Sequence, residues 1–195
     1  MSSATASTTA PAQTRAPARK PRVATASLGG CFGCHMSLLD IDEKFIDLAG
    51  LVDFDRTPIT DIKQIGDCDL GLIEGGVCNA ENVEVLLEFR KHCKILVSVG
   101  ACAITGGIPA MRNQYPLGDC LQESYLDGVG VVDAKIPNDP EIPLLLDQVR
   151  PLHEVVKIDH YLPGCPPNAE MIWSFLEQLL AGTDIDFPYR QIHYD

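Results

Sequence analysis

No apolar run in the chain approaches the ~20 residues a helix needs to cross a bilayer, and no apolar h-region opens it. Neither a membrane span nor a secretory signal peptide is therefore expected. Excess positive charge is also missing: 15 Lys and Arg against 27 Asp and Glu leave a formal net charge of −12. That balance argues against nucleic acid and against an anionic membrane surface as partners. No acid precedes Asp40 and no cysteine follows Cys165. No twin-Arg pair occurs, and on that ground the expected location is the cytoplasm. Residues 1–21 are Ser, Thr, Ala and Pro with Arg15, Arg19 and Lys20, which is too little apolar side chain to order itself. The expectation is a disordered extension over 1–21 and a single domain over 22–195.

What the chain has in quantity is cysteine. Eight in a chain with no secretory signal point to metal binding or burial rather than disulfides. The central stretch is Ser27-Leu28-Gly29-Gly30-Cys31-Phe32-Gly33-Cys34-His35, entered by the apolar run from Val23 and followed by a helical pattern. Glycines let the backbone pass close to something bulky, and two thiols three positions apart can converge on one soft ion or cluster. The pair alone is compatible with half a zinc site, a thioredoxin-like redox pair, covalent haem attachment (Cys31-x-x-Cys34-His35) or half an iron–sulfur site.

The rest of the chain repeats strand, glycine-rich turn, helix. Arg22–Leu28 is a predicted strand, and His35–Ala49 a helix with Leu38, Ile41, Phe45 and Leu48 inward, ended by Gly50. Val52–Phe54 is a short strand and Thr60–Gln64 a helical turn. Leu70–Glu74 is a strand, followed by a helix capped by Asn79 with Val83, Leu86 and Leu87 inward. Ile95–Val99 runs into a glycine-rich turn at 100–107. Residues 108–150 read as a crossing loop with a short helix near 119–126 and another near 142–149. Val155–Ile158 is the last predicted strand. It leads to Gly164-Cys165-Pro166-Pro167 and to a helix capped by Asn168, striped by Ala169, Ile172, Trp173, Leu176, Leu179 and Leu180, and ended by Gly182. The pattern is that of a doubly wound parallel α/β sheet, which binds ligands at the carboxyl ends of its strands. Cys31, Cys34, Cys102 and Cys165 all follow predicted strands and so share that rim.

Haem attachment and a redox pair both leave Cys102 and Cys165 idle, and zinc favours two close pairs. One pair plus two distant single cysteines in Gly/Pro turns suits a larger object, and a [4Fe–4S] cluster is one. Cys78 also follows a strand and is the rival ligand. Cys68, Cys93 and Cys120 read as small buried apolar residues. His35 reads as a hydrogen-bonding neighbour or interface residue. A zinc-stabilised interaction module and a flavin-binding carrier remain as alternatives.

Cys31-x-x-Cys34 after a strand, Gly100-x-Cys102 with Gly106-Gly107, and Gly164-Cys165-Pro166-Pro167 together resemble the small subunit of [NiFe] hydrogenases, over about residues 22–182. Ser27–Asp42 looks most like the soluble, NAD-reducing bidirectional group. The resemblance implies a flavodoxin-like domain and an electron-transfer role as an enzyme subunit. It implies one [4Fe–4S] cluster held by Cys31, Cys34, Cys102 and Cys165, with Glu74 near it. It also implies a Ni–Fe centre in a partner large subunit, and a diaphorase module with FMN and further clusters ending at NAD. An FMN site in this chain is left open, since no motif demonstrates one. The related quinone-oxidoreductase subunit of complex I, the runner-up, has adjacent cysteines where Phe32-Gly33 here intervenes.

Overall fold

The computed structural model describes residues 19–187, 190 and 192–194. The expected N-terminal extension falls, apart from residues 19–21, outside the described residues. Alternation of apolar residues builds the sheet. β1 (Arg22–Ser27) turns Val23 to one face and Ala24 and Ala26 to the other. The helix expected over 35–49 is two helices, α1 (Gly33–Leu39) and α2 (Lys44–Leu51), and Gly50 lies inside the second rather than after it. Asp42 breaks the run with φ +54°, a left-handed conformation that no continuous helix holds.

β2 (Asp53–Phe54) is as short as expected, whereas residues 60–64 form no helical turn. β3 (Cys68–Glu74) and β4 (Val77–Asn79) lead to α3 (Ala80–His92), where the Asn79 side chain accepts from Asn82 N–H as the N-cap. Leu86 and Phe89 are buried on α3, but Leu87 is exposed, contrary to expectation. β5 (Cys93–Val99) delivers α4 (Gly100–Thr105), so the glycine-rich stretch opens a short helix. A 3-10 turn (Ile108–Gln114) and α5 (Leu117–Tyr125) follow. The stretch near 142–149 is a strand, β6 (Leu145–Arg150), rather than a helix. It pairs antiparallel with β4, and its other edge is covered by the Asn113 amide, which accepts from Val149 N–H and donates to Val149 C=O, each at 2.8 Å. The last strand is β7 (His160–Leu162), later than the expected 155–158. α6 (Ala169–Ala181) starts at Asn168, whose side chain accepts from Met171 N–H, and stops at Gly182.

Five parallel strands stand in the order β2-β1-β3-β5-β7. Helices α1, α2 and α6 cover one face, packing Leu38, Leu48, Met171, Phe175 and Leu176 on Val23, Leu72 and Val97. On the opposite face α3 packs Leu86 and Phe89 on Ala24, Ile73 and Leu96. Met171 and Phe175 are buried on α6, while Trp173, Leu179 and Leu180 sit at the core's margin. This is the expected doubly wound, flavodoxin-like architecture. No helix among the described residues is long and apolar enough to cross a membrane.

Candidate metal centre

The carboxyl ends of β1, β3, β5 and β7 deliver four turns to one place. After β1, Leu28 N–H bonds Glu74 C=O, and Gly29 and Gly76 exchange N–H···O=C bonds of 2.9 and 2.7 Å, tying the first turn to the end of β3. After β7, Gly164 C=O accepts from Ala101 N–H at 2.8 Å, Cys165 N–H donates to His193 C=O, and Ser37 Oγ on α1 donates to Pro167 C=O at 2.6 Å. The Cys165–Pro166 peptide is cis.

Between these turns lies a cavity of about 60 Å³ lined by Cys31, Cys34, Cys102 and Cys165, with Gly30, Gly33, Glu74, Gly75, Ala101, Gly164 and Pro166. Cys31 is exposed and the other three thiols are half-buried. Gly100 has φ +81°, and a Cβ there would run into Cys34 Sγ. Gly107 has φ +50°, and its Cβ would come within 2.8 Å of Cys102 Sγ. Both positions need glycine for conformation and for room beside a thiol.

The donor set fits an iron–sulfur cluster. Among the described residues no three His, Cys, Asp or Glu side chains are gathered to hold one metal ion. Four thiols on the wall of one cavity instead suit a multi-atom cluster, whose Cys ligands stand farther apart than those of a single zinc. Burial pushes the Cys34 thiol up, and Glu74, Cys102 and Cys31 beside it push in the same direction. Burial also raises the Cys102 thiol; a bond from Ile108 N–H works against this, and Cys165, Cys31 and Glu74 add to the rise. Thiols that oppose one another's ionisation become thiolates together only around a cation.

Glu74, the last residue of β3, is buried, and both its oxygens are used. Oε2 accepts from Cys34 N–H at 2.9 Å, and Oε1 lies 2.5 Å from His35 Nδ1. Burial works to raise the Glu74 carboxyl, but the His35 bond and charge and the bonds from Cys34 outweigh it, holding the carboxyl below its usual range. An ionised carboxylate only accepts, which puts a proton on His35 Nδ1. The other ring nitrogen lies 2.8 Å from Thr25 Oγ1, and the Phe32 ring stacks on the imidazole with centroids 4.8 Å apart. His35 thus touches the cavity only through Glu74, and Thr25 is a member of this chain that sequence reasoning missed.

Cys78 is not among the residues lining the cavity; its Sγ is directed at Gly76 C=O, 3.6 Å away. Cys68 and Cys93 are buried register partners on β3 and β5, and burial pushes their thiols up to about 11 and about 12. They are neutral packing residues at the far end of the sheet. Cys120 on α5 is half-buried.

Residues 31–179, the stretch that carries these four thiols, match the family model described as the NADH ubiquinone oxidoreductase 20 kDa subunit. The NAD-reducing hydrogenase HoxS subunit delta of Cupriavidus necator is 46% identical over 180 residues, covering 90% of this chain and 86% of that one. The chain belongs to the family of these oxidoreductase and [NiFe] hydrogenase small subunits. Within this family, a subunit of the F420-non-reducing hydrogenase of Methanothermobacter thermautotrophicus is 37% identical across 88% of this chain, which spans 57% of that relative's length. The family fold is likewise seen in a crystal structure of an NAD+-reducing [NiFe]-hydrogenase in the H2-reduced state. It superposes with a TM-score of 0.89 at 57% identity, over 91% of this chain and 100% of that one.

Proposed function

We propose that this chain is the electron-transfer small subunit of a cytoplasmic NAD-reducing [NiFe] hydrogenase. Cys31, Cys34, Cys102 and Cys165 would hold one [4Fe–4S] cluster next to the Ni–Fe centre of a large subunit. A diaphorase module with FMN and further clusters would take the electrons to NAD+. The observation that carries the reading is the gathering of the four thiols on one cavity at the rim of the sheet. The 46% identity to an NAD-reducing hydrogenase subunit supports NAD+ as the acceptor.

When bound, the cluster supplies one-electron transfer at a potential set by its surroundings. The chain's own residues do the rest. The thiolates grip the cluster, and Gly100 and Gly107 give the Cys34 and Cys102 sulfurs room. Leu38, Leu72, Val99 and Leu162, next to Cys34 on the sheet side, keep water from behind it. The exposed Cys31 is the limb that a docked large subunit would cover. In flavodoxin-like sheets the ligand crevice lies between the β1 and β3 ends. Here that crevice is lined with thiols, which favours iron over flavin at this position. Phe32-Gly33 between the first two cysteines favours the hydrogenase over the quinone-oxidoreductase branch.

The test is Cys165→Ser in the purified complex. Loss of iron together with loss of hydrogen-dependent NAD+ reduction is expected, while Cys120→Ser retains both. A fully iron-loaded, fully active Cys165→Ser enzyme would overturn the assignment.

A further inference from the structure

We propose that Thr25, His35 and Glu74 act as one positioning chain. It fixes the Cys34 limb of the cavity and holds a carboxylate against it, so that it sets the reduction potential of the group held there. The inference rests on the iron–sulfur reading above and adds a role for three residues that bind no metal.

Their placement follows from the sheet's alternation. Thr25 on β1 and Glu74 on β3 point to the same face as Val23 and Leu72, the face on which α1 lies. α1 begins at Gly33, inside the Cys31–Cys34 stretch, so His35, one residue past Cys34 in its first turn, drops between them. The imidazole spans the gap: Nε2 is 2.8 Å from Thr25 Oγ1 and Nδ1 is 2.5 Å from Glu74 Oε1. Side-chain exposure is 11% for His35 and 4% for Glu74, and Thr25 is 3% exposed. Phe32, whose own φ of +67° turns the backbone into α1, closes the ring's open side.

A purely structural role would not require a carboxylate. Cys34 N–H needs one acceptor, and a neutral amide oxygen supplies it. Burying a charge costs free energy unless it is paired and hydrogen-bonded. Among the described residues the side chain that meets Glu74 Oε1 is the His35 ring, and no Lys or Arg pairs with this carboxylate. Glu74 is also a lining residue of the thiol cavity, and its Oε2 meets Cys34 N–H at 2.9 Å. A negative charge held there opposes the addition of an electron and lowers the potential, and the N–H that the imidazole donates to the carboxylate offsets part of that effect. Thr25 keeps the ring in register to do so.

The experiment is an EPR-monitored redox titration of the assembled, iron-loaded complex, with iron and sulfide measured on each sample. Glu74→Gln keeps the shape and the acceptor for Cys34 N–H, so iron content is expected to hold and the midpoint to move to more positive potential. Thr25→Val frees the imidazole from its second anchor, weakens that offset and moves the midpoint the other way; Thr25→Ser returns it. An unchanged midpoint in fully loaded Glu74→Gln overturns the proposal. If Glu74→Gln loses iron, the Thr25 pair decides. A shifted Thr25→Val rescued by Thr25→Ser supports the chain, and parent-like midpoints in both overturn it. A parent complex lacking iron and sulfide would remove the cluster reading itself, which is a different failure.

Discussion

At the amino ends of β1, β3 and β7, charges are paired and satisfied. Asp69 accepts from Arg22 N–H and meets Arg19 and Lys94, Asp55, just past the short β2, meets Arg22 at the start of β1 and accepts from Gly66 N–H, and Asp159 takes Arg90 and Leu96 N–H. At the carboxyl ends of the same strands, left-handed glycines, four thiols and one carboxylate surround a cavity, with neither a lysine nor an arginine among its lining residues. One rim joins strands to one another by pairing opposite charges. The other gathers groups that repel one another when ionised, which the proposed cluster would neutralise. On that reading stability and function lie at opposite ends of one sheet.

The contrast is sharpest for Cys102→Ser, which should remove nearly all bound iron while the circular dichroism of the folded chain persists. Gly100→Ala comes next. A left-handed alanine costs roughly 1–2 kcal/mol, and its Cβ would displace Cys34 Sγ. Iron content should fall far more than thermal stability does, and the reverse order would erase the distinction between the rims. Asp159→Ala should do the opposite. It strands Leu96 N–H and takes from Arg90 its carboxylate, leaving it only backbone carbonyls, at about 1–3 kcal/mol by denaturant unfolding, with the cluster's EPR signal unchanged.

Acid should act on the amino rim in a defined direction. Burial works to raise Asp55, Asp69 and Asp159, but hydrogen bonds and nearby cations win, and all three carboxyls lie below the ordinary 3.8. Below 3.8 the unfolded chain takes up protons that the folded chain resists. The stability they contribute is therefore present above that pH and lost as pH falls through their folded values. Urea midpoints from pH 6 to 2.5 should show this decline in the parent and less of it in Asp55→Asn. The smallest effect is expected for Lys63→Ala, whose pair with Asp61 stands in solvent. It should leave stability and iron content at parent values.

Much of this was legible in the chain itself. Runs such as Leu70–Glu74 and Ile95–Val99 are buried strands because they are short, apolar and bounded by turn residues, and Asn79, Asn168 and Gly182 mark helix ends by their side-chain or backbone chemistry. Strands that end on a common rim bring distant cysteines together, so the convergence of four thiols was readable from their positions after strands. The break between α1 and α2 was hidden, because Leu38, Ile41, Phe45 and Leu48 keep helical spacing across it while Asp42 turns left-handed. β6 carries no alternation of its own: most of it is exposed, and it is a strand because β4 and Asn113 supply its partners. Thr25 could not be singled out. A threonine in a strand is ordinary, and its meaning comes only from His35 and Glu74, which the fold brings to it.

The most direct measurement is the iron, acid-labile sulfide, zinc and flavin content of the anaerobically prepared protein. Iron and sulfide in equal amounts, about four of each per chain as a [4Fe–4S] cluster requires, with a brown colour that Cys165→Ser abolishes, is the expected result. One zinc per colourless chain, or flavin with no iron, would contradict it.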